Sequence, residues 1–167
     1  DFTRPGHRKD WPEIDRLGAF ADTIDWFAKF EERVYLVTKD DRVYAFGRQD
    51  RSQNVFGVSN TTGLNVPKPT EIVELRGKKI VKFASGFRHM LALSADGTVW
   101  AWGENKYGEL GVGGGGGGNE VEHVQPMRVK TNDKAIDIGA ADGTSFALTG
   151  SGHVLAWGWN ANGECGN

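Results

Sequence analysis

Val99-Trp100-Ala101-Trp102-Gly103 is a short apolar run that closes on an aromatic residue and a glycine. It returns 55 residues later as Val154-Leu155-Ala156-Trp157-Gly158. A more worn copy, Val43-Tyr44-Ala45-Phe46-Gly47, stands 56 residues earlier. A period of this size marks a repeat array, in which each unit buries its apolar face only against its neighbours. The period therefore decides the architecture before any single segment is read.

Working outward, each run is preceded by a second apolar stretch: Tyr35-Leu36-Val37, Met90-Leu91-Ala92-Leu93 and Ala147-Leu148. The links Ser94-Ala95-Asp96-Gly97 and Thr149-Gly150-Ser151-Gly152 read as hairpin loops, where glycine supplies a positive φ. Asp41 fills that place in the first copy and tolerates it less well. Further upstream, Ile24 and Phe27 match Ile80 and Phe83, while Val81 and Phe83 match Ile136 and Ile138. Downstream come the polar stretches Glu104-Asn105-Lys106-Tyr107-Gly108 and Trp159-Asn160-Ala161-Asn162-Gly163. Pro69-Thr70-Glu71-Ile72 and Pro126-Met127-Arg128-Val129 then suit the start of an outer strand, because proline has no backbone donor. About four short antiparallel strands per unit make a propeller blade, so the fold class is all-β.

The strings Ser85-Gly86-Phe87-Arg88-His89-Met90-Leu91-Ala92-Leu93, Asp96-Gly97-Thr98-Val99-Trp100-Ala101-Trp102-Gly103 and Asn105-Lys106-Tyr107-Gly108-Glu109-Leu110-Gly111 resemble the RCC1 (regulator of chromosome condensation) repeat. The resemblance covers residues 24–167 and is strongest in the second and third copies. It implies an RCC1-like β-propeller with about three of seven blades in this chain. WD40 repeats fit less well, since their period is about 40 to 45 and their tryptophan precedes Asp, not Gly. Trp11-Pro12, Val34 to Gly47 and Leu75-Arg76-Gly77-Lys78-Lys79-Ile80 are most similar to proteins that combine RCC1 repeats with a BTB domain. The expected division is a lead segment 1–23, then repeats over 24–79, 80–134 and 135–167, the last truncated. Asp1 at the start and a copy broken off at Cys165-Gly166-Asn167 suggest an N-terminal fragment of a longer polypeptide. In the lead, Leu17, Phe20, Ala21 and Ile24 have helical spacing, but the repeat asks for a strand at Ile24 to Phe27, and the strand is preferred.

Composition narrows the function. A net charge of −2 argues against a strong pull on nucleic acid. Gly at 24 of 167 residues is about double ordinary usage, as tight β turns require. The single cysteine, Cys165, rules out an internal disulfide and fits a reducing cytoplasmic or nuclear setting. It occupies the place of Leu110, so a small apolar core role is expected. There is no run of about 20 apolar residues to span a membrane and no evident secretory signal.

Few residues suggest chemistry. Gly113 to Gly118 is followed by Asn119-Glu120-Val121-Glu122, not by the Lys and Ser/Thr of a phosphate loop, so it reads as a linker. His7, His123 and His153 share no ligand spacing; no metal, cofactor or catalytic residue is expected. Arg88 and His89 stand just before an apolar strand, where the other copies carry Thr144 or Arg33 in the histidine's place. The ordinary reading of His89 is a hydrogen bond within its own blade. Trp102 and Trp157 read as inter-blade core. Trp159 lies past the end of its strand, where Glu104 and Arg48 stand in the other copies. It reads either as packing on the next blade or as an exposed partner-binding anchor. Trp159, Arg88 and His89 are the candidate partner-binding residues. Arg76, Lys78 and Lys79 form a basic cluster whose default is a solvated loop.

The resemblance implies a non-enzymatic protein-interaction propeller. Joined to a BTB domain, it would recruit substrates for a cullin-type ubiquitin ligase. The alternative is guanine-nucleotide exchange on a small Ran-like GTPase, the activity of the family's founding member, and it rests on fold analogy. Arg4, His7, Arg8 and Lys9 are a thin version of a chromatin-binding tail, which the net charge disfavours.

Overall fold

The computed structural model describes residues 12–48, 55–59, 65–113 and 122–166. Strands β1 (Ile24–Phe30), β2 (Arg33–Thr38), β3 (Val43–Arg48) and β4 (Asn65–Glu71) form one antiparallel sheet in that order. Strands β5 (Ile80–Ser85), β6 (His89–Ser94), β7 (Val99–Glu104) and β8 (Glu122–Arg128) form the second. Strands β9 (Ala135–Ala141), β10 (Thr144–Thr149) and β11 (Val154–Gly158) form the third. The repeat is thus three successive meanders, packed face to face as propeller blades.

Strand periodicity explains the packing, because alternate residues serve opposite faces. Met90, Ala92 and Trp102 turn to the first sheet and bury against Tyr35, Val37 and Ala45. Leu91, Leu93, Val99 and Ala101 turn to the third and bury against Ile138 and Ala147, with Trp157 packed beside them. β6 is therefore buried along its whole length, which is why it reads as a continuous apolar run.

The glycine that ends each run is fixed by a close backbone approach. Gly47, Gly103 and Gly158 have φ of 124, 105 and 104°. A Cβ on them would meet the carbonyl oxygens of Glu32, Arg88 and Gly143 at 2.0, 2.4 and 2.3 Å. The residue after each glycine donates its N–H to that same carbonyl: Arg48 to Glu32, Glu104 to Arg88, Trp159 to Gly143. The hairpin position behaves as its sequence suggests, with Asp41, Gly97 and Gly152 at φ of 59, 82 and 87°.

Two local expectations are corrected. Pro69 and Pro126 do not start their strands; they lie near the ends of β4 and β8. Both fall at a register break, opposite Phe46 and Trp102, where the ladder needs no donor from them. In the lead, a 3₁₀ helix runs over Pro12–Thr23 with a kink at Gly18, and the strand begins at Ile24. Helix and strand readings thus each hold, on opposite sides of one boundary. Leu17 and Phe20 pack on the face of the first sheet away from the second, over Ile24, Phe27, Val34 and Leu36. The glycine run beyond Gly113 lies outside the described residues.

The outward face of the third sheet carries the equivalents of residues that the second sheet buries. Val154 is 66 % exposed, whereas Val99 at the same repeat position is 1 % exposed. Cys165 is only half-buried, unlike Leu110, because among the described residues no sheet packs over it.

Candidate functional site

The polar stretch after each aromatic-Gly folds into a self-braced loop. Asn105 Oδ1 accepts the Leu110 N–H at 3.1 Å, and Glu109 Oε2 accepts the Tyr107 N–H at 2.8 Å. The third copy repeats both bonds: Asn160 Oδ1 to the Cys165 N–H and Glu164 Oε2 to the Asn162 N–H, each at 2.8 Å. Gly108 and Gly163 bend the chain at φ of 87 and 82°. An Asn and a Glu four residues on thus replace the ladder bonds that the loop lacks. The loop projects Tyr107 without depending on a partner for its shape.

Between this loop, the Gly86–Arg88 turn and the Ala141–Gly143 turn lies a cleft of about 550 Å³, formed where the second sheet meets the third. Phe87, Tyr107 and Trp159 stand half-exposed around it. The Tyr107 and Trp159 rings lie 5.3 Å apart at 34°. Trp159 backs onto Gly143, where a Cβ would approach to 3.1 Å. Its carbonyl accepts the Thr144 hydroxyl at 2.7 Å. Arg88 lies over Phe87 at 5.5 Å and reaches Glu104 at 3.4 Å. Arg88 Nε is buried without a hydrogen-bond partner among the described residues.

His89 forms the floor. Its ring is buried, and Nε2 lies 2.7 Å from Ser145 Oγ on the third sheet. The Ser145 hydroxyl spends its one proton on the Glu109 carbonyl at 2.8 Å. His89 Nε2 must therefore carry a hydrogen and donate to Ser145. Burial pulls the His89 pKa down to about 4, so the ring is neutral at pH 7. The same carbonyl accepts Trp157 Nε1 at 2.8 Å. The expected bond within the blade is thus corrected: His89 staples one sheet to the next. Arg33, its counterpart, also crosses, donating Nη2 to Ser85 Oγ at 3.1 Å.

The loop glutamates diverge. Burial pushes the Glu109 carboxyl above the usual range. The exposed Glu164 is held below it, first by the Asn162 backbone N–H. The difference follows from the third sheet covering Glu109.

The repeat model "Regulator of chromosome condensation (RCC1) repeat" matches residues 40–93 and 96–148, and a second model of that description matches 80–109. The chain belongs to the RCC1-repeat family. Each RCC1 match at 40–93 and 96–148 runs from the third strand of one sheet to the second strand of the next, so it spans a sheet boundary. The chain is 32 % identical over 136 residues to the E3 ubiquitin-protein ligase HERC2 of Homo sapiens, covering 80 % of this chain and 3 % of HERC2. It is 35 % identical over 108 residues to the probable E3 ubiquitin-protein ligase HERC3 of Homo sapiens, covering 64 % of this chain and 10 % of HERC3. The solved structure of yeast RCC1 (Prp20) with Kap60 bound aligns at a TM-score of 0.70 and 23 % identity, over 83 % of this chain and 32 % of that one. The RCC1-like propeller fold is thereby shown, and the chain spans only a small part of these ligases.

The RCC1 repeats bring Trp159, Arg88 and His89 to this one cleft, from two different sheets. Trp159 packs on Tyr107, in the loop of the preceding sheet and not on a following blade, and is 43 % exposed. Trp102 is fully buried between sheets, and its Nε1 donates to the Val55 carbonyl at 2.6 Å. Arg76 leaves the basic cluster, since it forms a two-pronged pair with Glu71. Sequence reasoning missed Phe87, Tyr107, Glu109, Asp142 and Glu164 as wall residues. The available signal was the Asn-x-x-Gly-Glu spacing shared by 105–109 and 160–164.

Proposed function

We propose that this chain is a non-enzymatic protein-recognition propeller segment whose docking surface is the Tyr107–Trp159 cleft. The observation that carries the proposal is the set of three half-exposed aromatic rings held by braced loops between two packed sheets. Aromatic anchors on a rigid frame are what protein hot spots use, because little side-chain entropy is lost on binding. Arg88 and Trp159 touch the partner; His89 positions the wall beneath them.

In the full-length protein we assign this segment to substrate recruitment for ubiquitin transfer. Support comes from relatives that are E3 ubiquitin-protein ligases by name and match this chain over most of its length. A BTB domain acting through a cullin, and a ligase module on the same polypeptide, are the two routes; co-precipitation of a cullin separates them. Nucleotide exchange on a Ran-like GTPase rests on fold likeness to yeast RCC1, and no feature of the cleft favours it.

The test is photo-cross-linking in cells. A benzophenone amino acid replaces Tyr107 in the full-length protein, or Val73 as a control, which is exposed and outside the cleft. A discrete adduct from position 107 and none from 73 is expected. Equal labelling at both, or none at 107, contradicts the proposal.

A further inference from the structure

We propose that the Trp159 end of the cleft receives a lysine or arginine side chain from the partner, so that the segment recognised is a basic peptide. This rests on the docking reading above. The charge of the cleft is the first argument. Among the described residues, Glu104, Glu109, Asp142 and Glu164 line it, against Arg88 and Lys106. Glu104 is already paired with Arg88. Asp142 and Glu164 are exposed, on two turns that flank Trp159.

The aromatic rings supply the second argument. Arg88 lies over Phe87 at 5.5 Å, and Lys106 over Tyr107 at 5.3 Å. Two of the three rings therefore already carry a cation from this chain. Among the described residues, none lies over the Trp159 indole, which is the ring type that holds cations best. A cation at that place also gains the field of Asp142 and Glu164, within a wall that limits its solvation.

The probe is a random seven-residue peptide library displayed on phage, selected on the full-length protein and counter-selected on its Trp159→Ala variant. Asp96→Asn, which lies outside the cleft, serves as the folded control. Selected peptides are expected to share a fixed Lys or Arg. Synthetic copies with norleucine in its place should bind at least about tenfold more weakly. Binding should also weaken at least about tenfold to Glu164→Gln,Asp142→Asn, and little to Asp96→Asn. Selection of acidic or uncharged peptides, or of none, overturns the inference. If position 107 still cross-links a partner, only the cationic reading falls; if it does not, the docking reading falls with it.

Discussion

At the residue scale, the repeat glycines differ in how strictly they are required. Gly103 combines a φ of 105° with an Arg88 carbonyl 2.4 Å from any added Cβ. Gly108 has a φ of 87° but nothing within 4 Å. Gly108→Ala should therefore cost about 1 kcal/mol, the strain of left-handed backbone alone. Gly103→Ala should cost about 3 kcal/mol or more, because the backbone must also move. Urea midpoints of the two variants test the difference. His89 gives a pH signature. Its pKa is about 4 when folded, against 6.5 when exposed. The unfolded chain thus binds the extra proton first. Stability from this group is complete above pH 6.5 and is lost as pH falls to about 4, by roughly 3 kcal/mol. His89→Gln should be less stable at pH 7 yet flatter across that window, as read from urea melts at each pH. A parallel slope in the two proteins would remove His89 as the cause.

At the element scale, sheets are joined by a donor reaching a loop carbonyl of its neighbour. Trp102 Nε1 of the second sheet donates to the Val55 carbonyl of the first at 2.6 Å, and that carbonyl also takes Tyr35 Oη of its own sheet at 2.5 Å. Ser145 and Trp157 do the same to the Glu109 carbonyl, each at 2.8 Å. Trp102→Phe keeps the ring and should cost about 1–2 kcal/mol, since Tyr35 still satisfies Val55. Trp102→Ala also opens a cavity and should cost about 3–5 kcal/mol. Equal losses in the two variants, measured by calorimetry, would contradict this division. Elements were legible in sequence where periodicity and glycine agree, as in β6, β7 and the hairpin between them. They were blurred where a bulge breaks the period, as at Pro69 and Pro126. The cleft was legible only in part. Trp159 stood out because its residue type departs from the other copies. Tyr107 and Glu164 carried only the Asn-x-x-Gly-Glu spacing and Asp142 no local signal, because their meaning comes from two sheets meeting.

At the scale of the whole molecule, the sheets form an arc with one covered and one open end. The lead helix lays Leu17 and Phe20 over the first sheet, while Val154 stays exposed on the third. Apolar sheet surface of this kind drives association. The 167-residue chain made by itself should self-associate as its concentration rises. Val154→Glu should return it toward monomer in sedimentation velocity. A wild-type chain that stays monomeric would show that this face is not sticky enough to matter. The cleft lies at the junction of the second and third sheets, so its shape depends on two sheets and not on the ring as a whole. The most direct test of the account is the affinity of the full-length protein for the partner captured at position 107, compared between wild type and Trp159→Ala. The account predicts a dissociation constant raised at least about tenfold with an unchanged melting temperature. An unchanged dissociation constant would contradict it.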